Sequence, residues 1–214
     1  MDNFIKQAIG FVPPFLLAIS FHESAHAYIA YRFGDSTAKD LGRITLNPLP
    51  HIDVLGFLLL LTVHFGWAKP VPINPYNLRN PIKDNLWIAL SGPASNLILA
   101  VISAIVFRLA GPFLIASSPG LFFLQMIEIS VVLNIVLMVF NLFPIPPLDG
   151  FHVLEGLVST DTYIKMQKLR QYGPLILVGL VAMSSLTRIN IFSLIFEPFV
   201  RILGGFLLGR PVGW

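Results

Sequence analysis

The sequence predicts an all-α polytopic membrane protein, a bundle of about five to six transmembrane or re-entrant helices with a small membrane-associated β element. Composition gives the class, since 55% of residues are hydrophobic and only 12% charged, with a mean hydropathy of +0.77 that lies well outside the soluble range. Apolar runs give the elements, at 9–33, 54–67, 86–111, 121–143, 174–187 and 190–209. No composition shift or repeat divides the 214 residues, so 1–214 reads as a single domain.

The run 9–33 is long enough to cross a bilayer and lacks a small-residue cleavage site, so it is expected to remain in the protein as a helix. The run 54–67 is short for a crossing. Pro48, Pro50, Gly56 and Gly66 flank it, which predicts re-entry. Basic residues support that assignment. With re-entry, Arg32, Lys39, Arg43, Lys69, Arg79, Lys83, Lys165, Lys168, Arg170 and Arg210 share one face, against Lys6, Arg108 and Arg188 on the other. The positive-inside rule then puts the N-terminus outside in a multi-pass cell-membrane protein. Between these runs, 42–48 and 69–75 have a strand-like pattern broken by prolines, which predicts the β element and an edge able to receive an extended peptide. The runs 86–111 and 121–143 are long enough to span. The last run contains Glu197, Pro198 and Arg201, which leaves a span and an interfacial helix as alternatives.

The first run also carries chemistry. His22-Glu23-Ser24-Ala25-His26 places two imidazoles at i and i+4 on one helical face, where they can share a metal. Glu23 beside them can take a proton from a metal-activated water. Ionisable groups at membrane depth are costly and usually mark a functional site. The predicted topology brings the motif toward the cytoplasmic face, roughly 10 Å from the helix end at Phe33.

A catalytic zinc usually takes three protein ligands and leaves a position for water. With no cysteine in the chain, the third ligand comes from nitrogen or carboxylate oxygen. Asp149 sits in the proline-interrupted stretch Asn141-Leu142-Phe143-Pro144-Ile145-Pro146-Pro147-Leu148-Asp149-Gly150. His152, His51 and His64 are its rivals, and the residue chemistry leaves them open.

Taken in order, the His22–His26 motif, Ser91-Gly92-Pro93-Ala94-Ser95-Asn96 and the Asn141–Gly150 stretch with its Pro-x-Pro-x-Leu-Asp-Gly core resemble the signatures of the site-2 protease family of intramembrane zinc metalloproteases. The resemblance covers almost the entire chain. It implies one Zn2+ per chain held by His22, His26 and Asp149, with Glu23 as general base. It also implies roles for Asn96 and Asn141 in orienting substrate or stabilising the oxyanion. The expected substrate is a transmembrane protein cut within or near its membrane segment, with the bilayer as the surroundings. No inserted PDZ-like stretch or C-terminal CBS pair is visible, which suggests a short core-only branch. Phe151 and His152 after Asp-Gly depart from the small or basic residues common in the family.

A membrane transporter or metal-handling protein using the same His, Glu and Asp cluster is the alternative reading. It lacks the inverted repeat that many transporters show. The net charge of +3 is explained by loops that hold orientation, and it predicts no nucleic-acid partner.

Overall fold

The computed structural model describes residues 2–63, 66–187 and 191–212, with the backbone alone at 2–8, 63 and 185–187. The helices are α1 (Asp2–Arg32), α2 (Thr37–Asp40), α3 (Val54–Val63), α4 (Pro81–Leu114), α5 (Ser118–Asn141), α6 (Asp149–Leu157), α7 (Thr160–Gln167), α8 (Gly173–Thr187), α9 (Ile191–Phe199) and α10 (Gly205–Leu208). A π-helical segment, Val200–Gly204, joins the last two. Among the described residues, three helices are long and apolar enough to cross a membrane: α4, α5 and the continuous stretch Ile191–Leu208.

Local chemistry starts α4 and α5. Asn80 caps α4 by accepting from the Lys83 N–H at 3.3 Å, and Asp84 reaches back to the Asn80 N–H at 2.8 Å. Pro81 then fills the first helical turn, where a missing N–H costs nothing. Ser117 caps α5 in the same way, accepting from Gly120 N–H at 3.2 Å. Gly120 is required there, because a Cβ would stand 2.1 Å from the Leu114 carbonyl oxygen.

The bundle packs on small residues. Ala100 and Ala104 of α4 meet Val131, Ile135 and Val139 of α5, with Phe196, Val200 and Leu208 closing the cluster from the last helix. Ala18, Ala27 and Ala30 of α1 and Ala89 of α4 are also buried. Small side chains let helix backbones approach closely where hydrophobic exclusion gives little drive. Inside this core Ser103 and Ser130 hydrogen-bond at 2.9 Å.

Helix directions follow from these contacts. Gly10 of α1 faces Phe122 and Ile129 of α5, whereas His22 and His26 reach Asn96 and Ile88 of α4. Thus α1 and α5 run toward the end of the bundle that carries the histidines, and α4 runs away from it. Phe196 packs on Phe140 and Phe143 at that same end. At the distal end Arg108 of α4 donates to the Leu207 and Phe206 carbonyls at 2.7 and 2.6 Å. The last helix therefore runs parallel to α4.

This overturns one part of the expected topology. Arg210, expected on the face of the loops around 32–43 and 165–170, instead stands at the distal end, 2.6 Å from Glu128 and over the Phe107 ring. The reason is that α8 does not carry the chain across. Gly173 lies against the Pro146 carbonyl, and Phe192 stacks on Phe196, so the chain stands at the histidine end both at Gly173 and at Phe192. Arg188 lies outside the described residues.

The expected β element is also corrected. No sheet forms among the described residues, and a lone antiparallel bridge pairs Ile52 with Ala68. Arg43 explains the absence, since its guanidinium donates to the carbonyls of Lys69 and Pro70 at 2.5 and 3.2 Å, and Pro70, Pro72 and Pro75 have no N–H for a ladder. The excursion through α3 is closed at its base, with Lys69 N–H donating to His51 O at 2.8 Å beside the bridge. Gly56 and Gly66 let its two arms touch, a Cβ on Gly56 meeting Trp67 O at 2.3 Å. At about 1.5 Å per residue, the ten residues of α3 rise only about 15 Å.

Asp35 binds the first loop to the segment before α4. It is fully buried and accepts from Thr37 N–H and Oγ1, from Asn77 Nδ2 and from Asn74 N–H. Burial opposes its ionisation, yet these donors outweigh it and hold the carboxyl below its usual value. The contribution is complete above the unfolded value of about 3.9 and is lost as pH falls through the lower folded value. Asp35→Ala should lower unfolding free energy by about 1–3 kcal/mol near neutral pH. In detergent, the gap in melting temperature between wild type and variant should close as the pH falls below about 4.

Candidate metal centre

The histidine motif lies two turns from the end of α1, and its two rings meet edge to face with centroids 4.6 Å apart. Both are buried. His22 Nδ1 stands 2.7 Å from Asn96 Oδ1, and His26 Nδ1 2.7 Å from the carbonyl of Ile88. Both partners are acceptors, so each ring donates from Nδ1 and its Nε2 carries a lone pair in the neutral form.

Those two Nε2 atoms face each other at 3.0 Å. Asp149 Oδ2 completes the group, 3.1 Å from His22 Nε2 and 3.4 Å from His26 Nε2. The oxygen is buried and satisfies no hydrogen-bond geometry. Three acceptors therefore converge with no proton between them, an arrangement that a cation stabilises. The separations approach the roughly 3.3–3.4 Å edge of a tetrahedron whose metal bonds are about 2.0–2.1 Å. His22, His26 and Asp149 thus fit a metal ion both in donor type and in spacing.

The chain brings Asp149 here through its proline-rich loop. Turns from Ile145 N–H to Phe143 O and from Leu148 N–H to Ile145 O replace helix between α5 and α6, and Asp149 is the first residue of α6. Gly150 permits the turn, since a Cβ would stand 2.1 Å from Leu142 O. The carboxylate thereby faces α1, at the start of a helix whose free N–H groups favour negative charge.

Gly92 explains the Ser91-Gly92-Pro93 stretch. A Cβ there would meet His26 Nε2 at 2.5 Å and His22 Cε1 at 2.6 Å, so the missing side chain is the space that the rings occupy. Ser91 stays beside them, its Oγ donating to Ile88 O at 2.6 Å.

A cavity of about 450 Å3 opens onto the cluster, and its lining includes His22, Glu23, His26, Asn141, Asp149 and His152. Glu23 enters the cavity from α1, beside the ligand-type residues. Asn141 lines it too, with Nδ2 donating to Leu137 O at 3.0 Å.

Asn96 stands elsewhere, contrary to the expected substrate or oxyanion role. It is 0% exposed, and its amide is spent on His22, on Asn134 Oδ1 at 2.8 Å and on Ala18 O at 3.4 Å. It orients His22. Asn134 extends the chain by donating to Ser130 O at 2.8 Å, and the sequence reading missed it. Its signal was an asparagine inside an otherwise apolar run, which needs a partner in any membrane helix.

The rival ligands are also placed. His51 is buried away from the cluster, with Nε2 donating to Thr45 O at 2.9 Å. His152 lines the cavity, but its Nδ1 is bound to Glu155. His64 lies outside the described residues.

The chain is similar in sequence to known proteins. The profile of "Peptidase family M50" matches residues 108–184, a range that contains Asp149. "Putative zinc metalloprotease YwhC" of Bacillus subtilis (strain 168) is 41% identical, over 81% of this chain and 82% of the relative. "Putative zinc metalloprotease Rip2" of Mycolicibacterium smegmatis is 31% identical, over 87% of this chain and 71% of the relative. "Putative zinc metalloprotease MJ0611" of Methanocaldococcus jannaschii is 30% identical, over 63% of each. No solved structure matches the chain.

Outer partners that orient a ligating histidine usually change metal affinity by about 10- to 100-fold when removed. Asn96→Leu should weaken metal binding in that range, measured by competition with a chelator, with helical circular dichroism unchanged. Gly92→Ala should displace the rings and lower metal occupancy further.

Proposed function

This chain belongs to peptidase family M50, and on that premise we propose that it is an intramembrane zinc metalloendopeptidase of the site-2 protease type. Its substrates are membrane proteins, cut within or near a transmembrane segment. The observation that carries the reading is the convergence of two Nε2 atoms, on rings whose Nδ1 atoms each face an acceptor, with an unpartnered buried carboxylate oxygen, and Glu23 in the same cavity.

His22, His26 and Asp149 would hold one Zn2+ per chain. That ion supplies a Lewis acid that polarises a peptide carbonyl and acidifies a water. The protein residues do the rest. Asn96 and the Ile88 carbonyl keep both imidazoles facing the cluster. Glu23 accepts the proton of the attacking water and later returns it to the departing amine. Asn141 uses one N–H on Leu137 O and retains the other for a substrate carbonyl. A substrate helix conceals its carbonyls in i to i−4 bonds, so cutting requires local unwinding.

Residues 1–214 act as one domain, supported by the shared packing of α1, α4, α5 and the last helix. The histidine end is assigned to the cytoplasmic side. Arg32, Lys39, Arg43, Lys69, Arg79, Lys83, Lys165, Lys168 and Arg170 lie in segments at that end, against Arg108 and Arg210 distally, and Lys6 precedes the first crossing. That asymmetry supports an N-terminus outside. The closed base of the α3 excursion supports re-entry from the cytoplasmic side.

The test joins zinc content to cleavage of a panel of transmembrane peptides in detergent. Wild type should carry stoichiometric zinc and cut. Glu23→Gln should retain zinc and lose about 10²–10⁴-fold in kcat. Asp149→Asn should lose zinc and activity together. A folded wild type that binds no zinc would remove the reading.

A further inference from the structure

A second cavity, of about 310 Å3, adjoins the one at the metal cluster. The two share Val71, Ile73, Asn85 and His152 in their linings. Their common wall is apolar on the 71–73 segment and polar where α4 faces α6. Gly156 sets that spacing, because a Cβ there would meet Leu86 Cβ at 2.5 Å. Thus α6 closes on α4 one residue beyond Asn85 and one helical turn beyond His152.

His152 is held with unusual firmness for a cavity residue. Its Nδ1 lies 2.9 Å from Glu155 Oε2. Glu155 is 2% exposed, and Arg170 grips both its oxygens, Nε to Oε1 at 3.1 Å and Nη2 to Oε2 at 2.7 Å. Gln167 adds a third donor at 3.0 Å. A carboxylate so bound accepts from Nδ1, which leaves Nε2 of the neutral ring with its lone pair. The Asn85 side chain, on the facing helix, makes no hydrogen bond among the described residues. Two polar groups therefore stand opposite each other at the junction, one fixed and one unengaged.

We infer that Asn85 and His152 form a polar collar that binds the backbone of an extended substrate peptide as it passes between the smaller cavity and the metal cluster. The inference rests on the protease reading above. An unwound substrate helix exposes peptide N–H and C=O groups in a place with little water, where unmet groups are costly. His152 Nε2 accepts one substrate N–H. The Asn85 amide donates to a carbonyl and accepts from an N–H. Val71 and Ile73 face the substrate side chains, which alternate along an extended chain. His152 is a substrate-binding residue in this arrangement, and Glu155 and Arg170 position it.

The test uses the absence of cysteine from the chain. In the Glu23→Gln background, Asn85→Cys and His152→Cys are compared with Ile19→Cys, in the larger cavity, and with Phe113→Cys, exposed near the distal end of α4. The probe is a Leu/Ala transmembrane peptide interrupted by Asn-Pro-Gly and carrying one cysteine beside the break. Disulfide cross-links at 85 and 152 and none at 113 are expected. Cross-links at 19 with none at 85 or 152 would overturn the collar and leave the protease reading standing. In the active protein, Asn85→Leu and His152→Leu should each raise KM about tenfold, with kcat within about threefold and zinc content unchanged. Arg170→Met should raise KM by less, through its hold on Glu155. Unchanged KM in both Leu variants would also overturn the collar, and it decides the matter if a cysteine variant fails to fold. A wild type that cuts no peptide, together with no cross-link at 19, 85 or 152, would remove the collar and the protease reading together.

Discussion

The constraint on which the structure turns is the hydrogen bonding of two Nδ1 atoms. His22 and His26 each give that proton to α4, to Asn96 and to the Ile88 carbonyl, and both Nε2 lone pairs are thereby turned toward Asp149. Without those bonds either ring could flip or take its proton on the other nitrogen, and the three acceptors would cease to converge. The arrangement is electrostatically unfavourable when empty and favourable around a cation.

Much of the bundle maintains that organisation. Gly92 brings the α4 backbone against both rings, and the Asn96–Asn134–Ser130 chain fixes the amide that holds His22. These contacts join α1, α4 and α5 through polar groups that hydrocarbon surroundings would otherwise make costly. The loops use a different device, in which one buried charged group binds several backbone or side-chain partners. Arg43 takes the carbonyls of Lys69 and Pro70, Asp35 takes four donors from Thr37, Asn74 and Asn77, and Glu155 gathers His152, Gln167 and Arg170. Arg43 and Asp35 hold the irregular segment around 69–77, and Glu155 ties α6 to α7 and the turn after it, so the wall has the definition that a sheet would otherwise give.

The metal-binding chemistry was legible because it is local. A spacing of four residues puts His22 and His26 on one face whatever surrounds them, and three prolines before Asp149 forbid a continuous helix there. Composition likewise announces a bilayer protein. The role of Asn96 was not legible, because an asparagine in an apolar helix says only that a partner exists. Whether that partner is a substrate or His22 depends on how α1 and α4 rotate against each other.

Direction and pairing were the other quantities that only packing decided. The strand-like pattern around 42–48 and 69–75 has an extended character, but the Arg43 side chain of the first segment consumes the carbonyls of the second that a ladder needs. The apolar run at 174–187 is as short as the one at 54–67, and Phe196, with Phe192 stacked on it, returns to Phe140 and Phe143, so Arg210 ends beside Glu128 at the opposite end from the one its loop charge suggested. By itself the sequence determined the lipid-facing composition, the ligand types and the spacing within each motif, since these depend on residues within a helical turn or two. The tertiary structure alone decided which distant group takes each buried proton and which end of the bundle each helix reaches, because those outcomes depend on contacts between segments that share no local signal.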